Sequence, residues 1–109
     1  MSLEIKEYLT SLGKSPFAKW FNDLNPDVAA KVTIAMVRMG RGLLGDVKPV
    51  GQGVSEHRID YGAGYRVYFA KDGEKLVILL GGGSKKRQQQ DITEAIACWQ
   101  DYKQRKKKE

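Results

Sequence analysis

Two short runs carry functional groups at every second position: Glu56, Arg58 and Asp60 in VSEHRID, and Arg66 and Tyr68 in GYRVY. Alternate residues of an extended chain point to the same side, so pairing these runs as strands gathers two guanidiniums, two carboxylates and a phenol on one face. A guanidinium stays charged near neutral pH and binds phosphate through two parallel N–H bonds. Three consecutive cations, Lys85, Lys86 and Arg87, follow the glycines of GGGSKKR and open into a helical pattern. Cations at a helix N-terminus oppose the macrodipole by about 0.3–1 kcal/mol each, whereas a phosphate there gains from the dipole and from free N–H groups. A bound anion would remove that conflict. The chemistry within reach is recognition of an anionic ester. The plainer alternative is surface decoration, since exposed cross-strand ion pairs contribute under about 1 kcal/mol.

The elements that must position these groups are legible from periodicity. Residues 3 to 9 form a first strand or an irregular lead-in. Ser15 and Pro16 start a helix whose stripe is Phe17, Trp20, Phe21 and Leu24. Asn25 and Pro26 start a second, with Val28, Val32, Ala35, Met36 and Met39, ending near Gly40 and Gly42. A glycine-rich loop, GLLGDVKPVGQG, leads into three strands at 54–61, 65–71 and 74–80. Asp72-Gly73 is a two-residue hairpin signal between the last two. Ile92, Ala95, Ile96, Trp99 and Tyr102 mark one face of a final helix. The predicted fold is α+β, in the order (β)ααβββα, a single domain over residues 1–109 with a small antiparallel sheet packed on two N-terminal helices and a C-terminal helix.

A two-residue turn at 72 and 73 would pair Lys71 with Glu74, Phe69 with Leu76, Val67 with Ile78 and Arg66 with Leu79. A three-residue loop at 62–64 would pair Tyr61 with Tyr65, Asp60 with Arg66, Ile59 with Val67 and Arg58 with Tyr68. One face then carries Ile59, Val67, Phe69, Leu76 and Ile78 as the core under the helix pair, with His57 on the same side. The other carries Glu56, Arg58, Asp60, Arg66 and Tyr68 over Val77 and Leu79. Trp20, Phe21, Trp99 and Tyr102 are expected in the core, with Cys98 as an inert packing residue beside them.

Composition bounds the alternatives. At 109 residues, 41% hydrophobic and 29% charged, the chain is that of a globular protein. No run approaches the roughly 18 apolar residues of a membrane span. The start, MSLEIKEYLT, has no secretory signal pattern, which predicts a cytoplasmic protein. One cysteine and one histidine provide neither a disulfide nor zinc-type spacing, so no metal or cofactor is expected. Net charge is +6, and from Ser84 onward there are eight cations against four acids. That excess fits either a polyanionic partner or a solvated tail in KQRKKKE.

The segments VSEHRIDYGAGYRVYF, DGEKLVILLGGG and KKRQQQDITEAIACWQDYKQRKKK, with FAKWFNDL upstream, resemble HigB-like addiction-module killer proteins of the RelE/ParE toxin superfamily. The likeness covers nearly the whole chain. It implies a RelE-like fold and a bacterial type II toxin held inactive by a cognate helix-turn-helix antitoxin. Many RelE-like members cleave mRNA on the ribosome; ParE-like members inhibit DNA gyrase without nuclease chemistry. Arg66 in GYRVY falls at the superfamily's Tyr-Arg position, Lys85 at a lysine that follows the last strand, and Glu56 and Arg58 at an ELR-type segment. The sequence departs at His57, where relatives tend to carry leucine, and at Ser84, where many carry aspartate.

The resemblance favours a ribosome-dependent mRNA endoribonuclease, in which a ribose 2′-hydroxyl attacks the neighbouring phosphate. Glu56 would be the general base, Arg66 would stabilise the phosphorane, and Lys85 would protonate the leaving oxygen or clamp the phosphate. Arg58, Lys86 and Arg87 would bind substrate, and Tyr68 would stack on a base. Lacking a mobile histidine, such a site relies on the ribosome to orient the mRNA.

Overall fold

Both N-terminal helices begin where their Ser-Pro and Asn-Pro pairs place them. In the computed structural model, which describes residues 2–109, α1 spans Pro16–Asn22 and α2 spans Pro26–Gly40. The Ser15 hydroxyl accepts from the Ala18 N–H at 3.0 Å, and Asn25 Oδ1 accepts from the Val28 N–H at 3.1 Å. Each cap satisfies an N–H that has no intrahelical partner, and each proline occupies a position where its missing N–H is harmless.

The remaining elements are β1 (Glu4–Glu7), β2 (Val47–Gly51), β3 (Val54–Ile59), β4 (Tyr65–Asp72), β5 (Leu76–Ser84), a 3-10 turn (Lys85–Arg87) and α3 (Gln88–Lys107). The fold is α+β, as expected, but its sheet has five strands in the order β1-β5-β4-β3-β2. β1 runs parallel to β5 and the other pairs are antiparallel, so the sheet is mixed rather than wholly antiparallel. β2 lies in the stretch predicted to be loop. Its Pro49 is tolerated because β2 is an edge strand. No helix among the described residues is long and apolar enough to cross a membrane.

The β4–β5 turn contains Gly73, Glu74 and Lys75 rather than two residues, with Gly73 at φ +78°. Asp72 therefore pairs with Leu76, Ala70 with Ile78 and Phe69 with Leu79. That offset reverses the side chains of β5 from Leu76 to Leu80, because strand side chains alternate, and a bulge at Tyr68/Phe69, where Tyr68 pairs with Gly81, restores the expected parity beyond it. Val77 and Leu79, not Leu76 and Ile78, join Val67 and Phe69 beneath Phe17, Val28, Val32 and Met39. Ile78 and Leu80 turn to the opposite face and meet Val54, Tyr68 and Ala70 against Ala95 and Trp99 of α3. Trp20 and Phe21 pack against the first cluster and Tyr102 and half-buried Cys98 against the second.

α3 thus roofs the face that carries Glu56 and Tyr68. Two cores form, one on each side of the sheet: one beneath α1 and α2 and one beneath the C-terminal helix, as expected.

The glycines at the end of β5 permit close approach on both sides. A Cβ on Gly82 would stand 2.2 Å from Trp20 Cε3, and one on Gly83 would stand 2.0 Å from Asp91 Oδ2. A ring from α1 and a carboxylate from α3 therefore clamp the strand at adjacent residues.

Candidate anion-binding cleft

β3 and β4 pair with Arg58 directly opposite Arg66 and Glu56 directly opposite Tyr68. The expected grouping of these four on one face holds, but with the loop lengthened to residues 60–64 the pairings shift and Asp60 leaves the strand. Like charges directly opposite one another are destabilising unless something neutralises them. Glu56 does so for Arg66, with its Oε1 3.4 Å from Arg66 Nε. Arg58 has only the exposed carboxylate of Asp46, 3.9 Å away.

Arg58, Arg66 and Lys85 line one cleft of ≈ 340 Å³, closed by Asp46, Asp60, Tyr65 and the Gly62–Gly64 loop. Gly62 and Gly64 adopt φ +60° and +84°, a region that side-chain-bearing residues rarely occupy. Lys85 arrives because β5 ends at Ser84, whose hydroxyl accepts from the Lys86 N–H at 3.4 Å and starts the 3-10 turn. Three cations and two exposed carboxylates make a polar hollow, with the buried Glu56 balancing Arg66 from behind.

The other predicted residues separate from this group. Glu56 was expected to accept a proton from substrate, yet it is 1% exposed and its Oε1 also accepts from Gln88 Nε2 at 3.1 Å. Its carboxylate braces Arg66 from behind. Tyr68 was expected to stack on a base, yet it is fully buried beneath α3 and its hydroxyl has no partner among the described residues. Burial, then the charges of Glu56 and Asp91, push its pKa up to about 12. It remains a phenol and packs. Lys86 is exposed outside the cleft. Arg87 turns to Glu94 at 3.2 Å and Asp91 at 4.0 Å and lines a different groove, of ≈ 900 Å³, between α1 and α3.

The conflict posed by three cations at a helix start is resolved locally. They occupy the 3-10 turn, and α3 proper begins at Gln88 with Asp91 in its first turn. Asp91 and Glu94 supply the negative charge that the helix end favours, and Arg87 neutralises them in turn. Burial against Gly83 pushes Asp91's pKa up, partly offset by Arg87. No anion is needed there; the case for one rests on Arg58, Arg66 and Lys85.

His57 faces α2, as predicted, buried with its Nδ1 unpartnered among the described residues. Burial lowers its pKa, so at neutral pH it is an uncharged packing group. Asp46, Asp60, Tyr65 and Gln88 complete the site or its backing. Asp46 and Gln88 gave no sequence signal, because loop and helix positions acquire roles here only through tertiary contact.

The model of the phage-derived Gp49-like (DUF891) family matches residues 19–101. An uncharacterized protein of Haemophilus influenzae is 42% identical over 96 residues, covering 87% of this chain and 91% of the relative. The family match runs from the second half of α1 through α2, the arginine-bearing strands and most of α3. This chain belongs to the phage-derived Gp49-like family, a toxin-like family of toxin–antitoxin systems.

Proposed function

We propose that the protein is the toxin of such a system and cleaves mRNA on the ribosome. The observation that carries this reading is that Arg58 and Lys85 converge on one open cleft whose floor includes the largely buried Arg66, with Arg58 and Arg66 on directly opposed strand residues. A phosphodiester in this cleft would neutralise the charges of Arg58 and Lys85, which the protein leaves only partly compensated. Arg66, held by Glu56, presents a charge whose position is set before substrate arrives, which is the arrangement that stabilises a phosphorane.

Asp60 is the cleft carboxylate without an ion-pair partner among the described residues. In the proposed reaction it takes the proton from the 2′-hydroxyl, whose oxygen attacks phosphorus as the bond to O5′ breaks. The Lys85 ammonium donates a proton to the departing O5′, leaving a 2′,3′-cyclic phosphate and a 5′-hydroxyl. Glu56 is a positioning residue in this scheme. The partner is a cognate antitoxin of the helix-turn-helix class, which blocks access of the cleft to the ribosome.

The test uses purified protein with programmed ribosomes, with naked mRNA, and in a gyrase supercoiling assay. The reading predicts cleavage on ribosomes, poor cleavage of naked RNA and unaffected supercoiling. Inhibited supercoiling with intact mRNA would support the gyrase alternative instead.

A further inference from the structure

The cleft holding Lys85 does not end at Arg58. A second hollow of ≈ 340 Å³ opens on the α2 side and includes Asp46, Arg58, Ile59 and Asp60 in its own wall. The two hollows share one ridge. Beyond it α2 contributes Lys31 and Arg38, two turns apart, both exposed. Neither is ion-paired among the described residues. Lys31 instead stands over the Tyr61 ring, 5.3 Å from its centroid. Ile34 and Leu43 expose 49% and 61% of their surface at the same hollow.

Cations at intervals with apolar and aromatic surface between them are what a single-stranded nucleic acid requires, because its phosphates need charge and its bases need a face to lie on. The cations near the end of α3 are a poorer candidate. Lys106 is bonded to Asp72, and Arg105 to Asp101. Asp46 and Asp60 on the ridge would repel a phosphate placed directly above them, so phosphates fall to either side. Each hollow lies within the range of roughly 300–1,000 Å³ typical of small-ligand sites, enough for one nucleotide.

We infer that the second hollow receives the nucleotide adjoining the reacting phosphate, with Arg38 and Lys31 on its phosphate and Ile34 and Leu43 against its base. This rests on the first cleft being an RNA site. The experiment measures fluorescence anisotropy of labelled single-stranded RNAs of about three and about twelve nucleotides across a salt series. The wild type, Lys85→Ala and the double variant Lys31→Glu/Arg38→Glu are compared after melting curves establish equal folding. Wild type should bind the longer RNA about tenfold more tightly. The double variant should lose that gain, with a salt slope shallower by roughly 0.7 per lost phosphate contact. Lys85→Ala should weaken both lengths. Full affinity of the double variant for the longer RNA overturns the inference and leaves the first cleft standing; if that variant also loses its antitoxin, the surface is a protein-docking site. Failure of the wild type to bind either RNA overturns both readings.

Discussion

Arg66 and Glu56 meet diagonally across adjacent strands, Nε 3.4 Å from Oε1, with 8% and 2% of their side chains exposed. Among the described residues they form the one ion pair buried on both sides, and they tie the floor of the cleft to α3 behind it, because Gln88 of α3 donates to the same Glu56 oxygen. Two charges taken out of water cost several kcal/mol each, which mutual attraction offsets only while both are present.

Removing one partner should therefore be far more damaging than its contact distance implies. Glu56→Ala is expected to destabilise the fold by about 3–5 kcal/mol, leaving a buried guanidinium uncompensated. Glu56→Gln should cost less, since the Gln88 contact can persist. Urea unfolding measures both. A loss under about 0.5 kcal/mol for Glu56→Ala would mean that Arg66 is solvated where the geometry makes it dry.

Gly82 of β5 lies directly against the Trp20 ring of α1. Gly82→Ala is expected to cost about 1–3 kcal/mol by driving a methyl into the Trp20 ring. Trp20→Leu in the same chain should recover part of that loss, so a double-mutant cycle should show a coupling above about 0.5 kcal/mol. Strict additivity would contradict the contact.

Tyr68 gives an alkaline signature. Its pKa rises from 10.0 to about 12 on folding, so between those values the unfolded chain loses its proton first and stability falls as pH rises. Two pH units correspond to a loss on the order of 3 kcal/mol, fully incurred by about pH 12. Urea melts of the wild type and Tyr68→Phe at pH 9, 10, 11 and 12 isolate it, because Tyr8 and Tyr102, also pushed up to about 12, are common to both chains. Tyr68→Phe should be neutral or stabilising at pH 7, since its hydroxyl is unpartnered, and less sensitive to alkali. A parallel decline in both proteins would show the phenol to be solvated.

The three consecutive cations should not be equivalent. Lys85→Ala is expected to lower ribosome-dependent cleavage about 100-fold or more. Arg87→Ala, whose guanidinium lies in the groove between α1 and α3, should change it less than about threefold. Equal losses would mean that the 3-10 turn moves when substrate binds.

The sequence disclosed most where a local rule had a single outcome. Ser15-Pro16 and Asn25-Pro26 start helices because hydroxyl and amide oxygens cap N–H groups and proline fixes φ; both caps form. The alternation in β3 and β4 kept Glu56, Arg58, Arg66 and Tyr68 on one face through a change of loop length, because that change preserved parity. Asp72-Gly73 was less decisive, since the following Glu74 and Lys75 are polar enough to sit in a turn or start a strand. The longer turn reversed β5 from Leu76 to Leu80, as far as the bulge at Tyr68/Phe69. The parallel docking of β1 and the roofing by α3 depend on contacts between distant segments, which local periodicity does not encode. The cations after Gly81–Gly83 suggested a bound anion, but Asp91 in the first turn of α3 already supplies negative charge there, and Gly82 and Gly83 leave room for Trp20 and Asp91.

The most direct test of the central claim is to induce the wild type and Lys85→Ala in bacteria and map mRNA 5′ ends across the transcriptome. Lys85 is exposed, so its loss should leave the fold intact. If the cleft acts on a phosphodiester, wild-type induction arrests growth with new 5′ ends inside translated regions, and the variant produces neither. Growth arrest with intact transcripts, or cleavage undiminished in the variant, would contradict it.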